Sequence, residues 1–136
     1  MEAEQPKPTD WARLPVRSLA YIGDAVYELH VREGMLKDLS KVDNLHRATV
    51  ARVSAAGQAA MVQRLLPHLS ETELGVFKRA RNFKTSTPRR VSGHDYRLST
   101  AFEAVMGYTH LRQDWDRLRE LLALTDQFLE EEPHAD

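Results

Sequence analysis

The stretch SLAYIGDAVYELHVREGML, residues 18–36, decides the fold. Leu19, Ile22, Val26 and Leu29 recur at steps of three and four, the spacing that lines one face of an α-helix. Pro15 fits in or just before a first helical turn, and Gly34 lies near the segment's end. The same period continues outward. A second long helix is predicted from Asp43, a good N-cap, to about Leu66, with Leu45, Thr49, Val53, Ala56, Ala60 and Leu65 on its stripe and Pro67 as its stop. Ser70-Glu71-Thr72-Glu73 has the form of a capping box and opens a third helix carrying Leu74 and Phe77. Residues 85–93 hold Pro88, Gly93 and several hydroxyl residues, and read as a loop. A fourth helix over about 95–112 places Leu98, Ala101, Phe102, Val105 and Thr109 on one side. A fifth starts near Asp114 with Trp115, Leu118, Leu121, Leu122, Thr125 and Leu129. A short turn at 11–14 precedes the first. There is no alternating strand pattern of useful length and no internal repeat. The expected fold class is all-α, a helical bundle of five main helices.

Chain length, 136 residues, suits one domain with a real core. Residues 1–10 are polar, with Pro6 and Pro8, and read as a loose arm; 11–130 form the domain; 131–136 form an acidic tail. The 42% apolar and 29% charged composition excludes the disordered class. The chain has no cysteine, which excludes a disulfide frame and a cysteine zinc site and suits a reducing cytoplasm, the expected location. No apolar run approaches the roughly 18 residues needed to cross a bilayer, so no membrane partner is expected, and the amino-terminal residues lack a signal-peptide pattern.

Net charge is −1, which by itself does not suggest a nucleic-acid partner. Its distribution does. Between positions 78 and 97 stand Lys78, Arg79, Arg81, Lys84, Arg89, Arg90 and Arg97 against one acid, Asp95, a local charge of +6. Positions 114–136 hold eight acids against Arg117 and Arg119, a local charge of −6. Two solvated faces of opposite sign would explain this as well as a binding surface would.

Two carboxylates stand out. Asp24 is about 200° around its helix from Ile22, off the apolar stripe, with Glu28 one turn on. Glu103 has apolar neighbours on both sides and Gly107 one turn later. Carboxylates of this kind on adjacent helices would repel each other and recruit Mg²⁺, with Mn²⁺ as a substitute, through hard oxygen ligands. Such an ion acidifies water and offsets charge on a phosphodiester. Solvated helix faces are the ordinary alternative for both residues.

The segment Leu19-Ala20-Tyr21-Ile22-Gly23-Asp24-Ala25-Val26 resembles the signature helix of the ribonuclease III family, and Ser99-Thr100-Ala101-Phe102-Glu103-Ala104 resembles its second acidic helix. Lys78-Arg79-Ala80-Arg81-Asn82-Phe83-Lys84 resembles the basic motif of one branch, the Mini-III ribonucleases, which are a catalytic domain without a double-stranded-RNA-binding domain. The resemblance covers about residues 14–128. It implies a homodimeric, metal-dependent endoribonuclease that cuts double-stranded RNA to 5′-phosphate and 3′-hydroxyl ends, in maturation of large-subunit (23S-type) ribosomal RNA. Precursor ribosomal RNA would be the substrate, with a ribosomal protein as a candidate helper. Asp24 and Glu103 match the family's metal-binding, catalytic acids. Longer members carry further acids where this chain has Arg17 and Thr100, so a four-carboxylate scheme is weakened.

Within that reading, Lys78, Arg79, Arg81, Asn82, Lys84, Arg89, Arg90 and Arg97 would follow the phosphates of A-form RNA, giving affinity and register more than sequence readout. His46, Ser54 and Gln58 share roughly one side of the second helix and resemble positions near the RNA; ordinary helix polarity explains them equally well. Glu28 fits a salt bridge to Arg32. Tyr21, Val31, Met106 and Tyr108 fit either a core or a dimer interface. A non-catalytic module that binds duplex RNA or the ribosome is the alternative function. His94-Asp95 is a two-letter match to a metal-phosphohydrolase class and lacks the context that class needs.

Overall fold

A computed structural model of the protein describes residues 11–36, 53–84, 86–87, 89 and 92–131. Five α-helices run through them: α1 Val16–Met35, α2 Ala55–Leu65, α3 Glu71–Arg81, α4 Gly93–Leu111 and α5 Trp115–Glu131. A 3₁₀ turn, Leu66–His68, joins α2 to α3. No strand occurs among the described residues, and the all-α fold class is as expected. None of these helices is long and apolar enough to cross a membrane.

Helix starts follow the capping chemistry. Ser70 Oγ accepts from the Glu73 N–H while Glu73 Oε1 accepts from the Ser70 N–H, so two orphan donors are satisfied together. Ser92 Oγ accepts from the Asp95 N–H, which starts α4 at Gly93, two residues before the expected position. Asp114 Oδ1 accepts from the Arg117 N–H at 3.2 Å and opens α5. The turn before α1 is closed by the Leu14 N–H and the Trp11 carbonyl at 3.2 Å.

α4 is the hub, packed against α1, α2, α3 and α5. Its inner residues include Ala101, Phe102, Ala104, Val105 and Met106, all buried. Phe102 meets the buried Tyr27 ring edge-on at 4.9 Å between centroids. Burying such a ring contributes on the order of 2–3 kcal/mol.

Two expectations need correction. The stripe Leu19, Ile22, Val26, Leu29 is not the core face of α1. Val16, Leu19, Ala20, Gly23, Tyr27 and Val31 are buried, whereas Leu29 is 59% exposed. At 100° per residue, the buried face lies roughly 100° from the expected one. α1 is apolar on two sides, and periodicity alone cannot say which side the core takes. The expected helix from Asp43 to Leu66 is broken at Ser54, whose extended backbone (ψ 157°) and side chain cap α2. Asp43, Leu45, His46 and Thr49 lie outside the described residues.

Candidate active site

Asp24 and Glu103 meet because α1 and α4 cross on glycine. A Cβ on Gly23 would lie 1.6 Å from the Glu103 carbonyl oxygen, and one on Gly107 would lie 1.9 Å from the Leu19 carbonyl oxygen. No side chain fits between the two backbones here, so the helices touch. Asp24 follows Gly23 at the rim of the buried face of α1, and Glu103 precedes Gly107 by one turn. Asp24 is exposed and Glu103 is half-buried.

Burial first, then the negative charge of Asp24 and a hydrogen bond between the two carboxyls, push Glu103 up to about 9; a donor from Gln58 opposes the rise. At neutral pH the pair therefore holds a proton that a divalent cation would displace. Its chemistry, two hard oxygen donors short of one positive partner, fits Mg²⁺, which is commonly held by one or two carboxylates with waters filling its shell. Among the described residues no group of three or more His, Cys, Asp and Glu forms a ligand cluster, so the His94-Asp95 alternative gains no context there. Glu28 is engaged by Arg32 at 3.3 Å, as expected.

Gln58 is buried, not on a surface facing RNA. Its Nε2 donates to the Val53 carbonyl at 3.0 Å and to Glu103 Oε2 at 3.5 Å, and its Oε1 accepts from Ser99 Oγ at 2.6 Å. Ser54 spends its side chain on the α2 cap. His46 lies outside the described residues. Ser99 carries no sign of this partnership in the sequence, because hydroxyls give no periodic signal.

The basic segment is on the surface. Lys78, Asn82, Lys84, Arg89 and Arg97 are exposed and Arg81 is half-exposed, while Arg90 lies outside the described residues. Arg79 is also exposed, but it donates to the Leu14 carbonyl at 2.9 Å and so ties α3 to the turn before α1. A cleft of about 520 Å³ is lined by Arg81, Lys84, His94, Tyr96 and Arg97 among others. Beside it a small hollow gathers Arg17, Arg97 and Thr100. Arg17 and Thr100, the two positions at which the resemblance implies further acids in longer members, thus come together here next to Arg97. Arg97, Thr100 and Glu103 follow one another at three-residue steps along α4, so the cationic track leads toward the carboxylates.

Of the four candidate interface residues, Val31, Met106 and Tyr108 are in the core, and Tyr21 is 79% exposed.

The helical fold and an acidic pair beside a cationic track define a ribonuclease III-type domain, and the Ribonuclease III domain model matches residues 17–114. Mini-ribonuclease 3 of Gloeobacter violaceus is 45% identical over 121 residues, covering 89% of each chain. That of Desulfitobacterium hafniense is 40% identical over 126 residues, covering 92% of this chain and 80% of the relative. A solved structure of a Fusobacterium nucleatum protein superposes with a TM-score of 0.76 at 27% identity, covering 84% of this chain and 93% of that one. The chain belongs to the Mini-ribonuclease 3 family.

Proposed function

We propose that this endoribonuclease hydrolyses double-stranded RNA at the Asp24–Glu103 pair, with Mg²⁺ or Mn²⁺ as cofactor, leaving 5′-phosphate and 3′-hydroxyl ends. The observation that carries the reading is the convergence of two carboxyls at a glycine crossing, where burial and the neighbouring Asp24 push Glu103 up to about 9. When bound, a divalent ion supplies charge neutralisation at the phosphodiester and acidifies water. Asp24 and Glu103 would hold it. Lys78, Arg81, Lys84, Arg89 and Arg97 would hold phosphates and set the register of the duplex. No protein nucleophile is needed.

The substrate we assign is precursor ribosomal RNA of the large subunit, processed in the cytoplasm, with the relatives' family membership as support. A homodimer suits a two-stranded substrate, since each protomer then cuts one strand. Exposed Tyr21 and Leu29, together with Ile22, supply an apolar side of α1 that such an interface would cover.

The test uses purified protein and long duplex RNA, with Mg²⁺ or with chelator. Metal-dependent shortening is expected, and Asp24→Asn and Glu103→Gln should lose it by about 10³-fold or more, about 4 kcal/mol of transition-state stabilisation, while still binding the duplex. Binding without cutting by the wild type would favour a non-catalytic module instead. Full cleavage by either variant would remove the carboxyl pair from the mechanism.

A further inference from the structure

Gln58 is 0% exposed, an unusual place for a primary amide. An apolar residue of equal length would fill the same volume without the cost of desolvating an amide, so packing does not explain it. Its hydrogen bonds also leave no choice of orientation. The Val53 carbonyl can only accept, so Nε2 must face it, and Oε1 must then face Ser99. The second amide hydrogen is left for Glu103 Oε2.

Ser99 and Glu103 are one turn apart on α4, and Gln58 comes from α2. The amide therefore spans two helices and delivers one donor to one chosen oxygen of the half-buried carboxyl. Such a donor favours the ionised carboxylate and restrains its rotation against the repulsion of Asp24.

We infer that Gln58 is a positioning residue for metal binding: locked by Ser99 and the Val53 carbonyl, it holds the Glu103 carboxylate in the orientation that shares a divalent cation with Asp24. The inference rests on the reading of Glu103 as a metal ligand. It also reassigns a residue whose helix-face position had suggested RNA contact.

The test measures Mn²⁺ binding to the free protein by electron paramagnetic resonance, beside the Mg²⁺ dependence of duplex cleavage. Gln58→Met keeps the volume and removes the donor; Ser99→Ala keeps the amide and removes its lock. Mn²⁺ affinity and half-saturating Mg²⁺ should each worsen by about 10-fold in Gln58→Met and by about 3-fold in Ser99→Ala. Duplex binding in chelator should match the wild type, and saturating Mg²⁺ should restore much of the lost rate. Wild-type Mn²⁺ affinity in Ser99→Ala, or in folded Gln58→Met, overturns the inference. Glu103→Gln serves as the separate control. If it binds Mn²⁺ and cleaves like the wild type, the metal-ligand reading has failed instead.

Discussion

Two acids in this protein, one buried and one half-buried, meet opposite fates. Glu73, at the start of α3, is buried, yet Arg117 from α5 grips both its oxygens, Nε to Oε2 at 2.9 Å and Nη2 to Oε1 at 2.7 Å, and the Ser70 N–H adds a third donor. Burial works against its charge, but Arg117 and Ser70 prevail and hold it below the usual carboxylate range. For Glu103, half-buried on α4, burial and the facing Asp24 carboxyl outweigh the single Gln58 donor at 3.5 Å, and it rises to about 9. The first acid is a finished structural element that also anchors the His68 carbonyl through Arg117 at 2.7 Å. The second is left short of positive charge. The difference teaches that burial of an acid says little until its partners are known, and that an uncompensated one marks where a ligand belongs.

That contrast can be broken from several sides. Removing the Glu73 partner should have the largest effect. Arg117→Met leaves a buried carboxylate uncompensated and should cost about 3–5 kcal/mol in urea or thermal unfolding, with cleavage per folded molecule little changed. A cost below 1 kcal/mol would show that the ion pair is not what holds α3 to α5. Gly23→Ala attacks the other acid through the backbone. Its Cβ would force α1 and α4 apart, for about 3 kcal/mol of stability, and should cost activity even in the protein that remains folded. Normal activity in folded Gly23→Ala would mean that the crossing does not set the carboxyl separation.

Glu103→Gln should do the reverse of Arg117→Met. In metal-free protein at neutral pH it removes the cost of protonating a carboxyl shielded from water beside Asp24, and stability should rise by about 1 kcal/mol, or about 3–5 °C in Tm, while cleavage is lost. A fall in Tm would show that Glu103 takes up no proton on folding. The smallest effect is on pH dependence, and the two acids should differ in sign. Glu73, depressed when folded, contributes stability above the ordinary carboxylate range that is lost as pH falls through its folded value. Glu103, raised from 4.5 to about 9, binds its proton more tightly when folded. Its contribution is present at low pH and fades as pH climbs from about 4.5 toward about 9. Metal-free wild type should therefore lose stability between pH 6 and 9 relative to Glu103→Gln, as followed by urea midpoints. Parallel curves for the two proteins would refute this.

Much of this was legible in the residues. Capping chemistry is local, so Ser70 to Glu73 and Asp114 predicted helix starts that the structure has. Periodicity is local too, and it established an all-helical chain. Asp24 and Glu103 were identifiable as candidates from their motifs. The core face of α1 was not legible, because that helix is apolar on two sides and only its neighbours decide which side is inside. The burial of Gln58 was illegible for the same reason, since an amide on a helix carries no sign of which side will be covered.

By itself, then, the sequence determined the helical character of the chain, the caps at Ser70 and Asp114, the basic block and the two acids as candidates, because each depends on interactions within a few residues along the chain. Only the tertiary structure decided that Gly23 and Gly107 bring α1 and α4 into backbone contact, that the two acids repel there, and that Gln58 and Ser99 stand behind one of them. Those facts depend on distances between segments far apart in the chain, and a distance of that kind has no local signature.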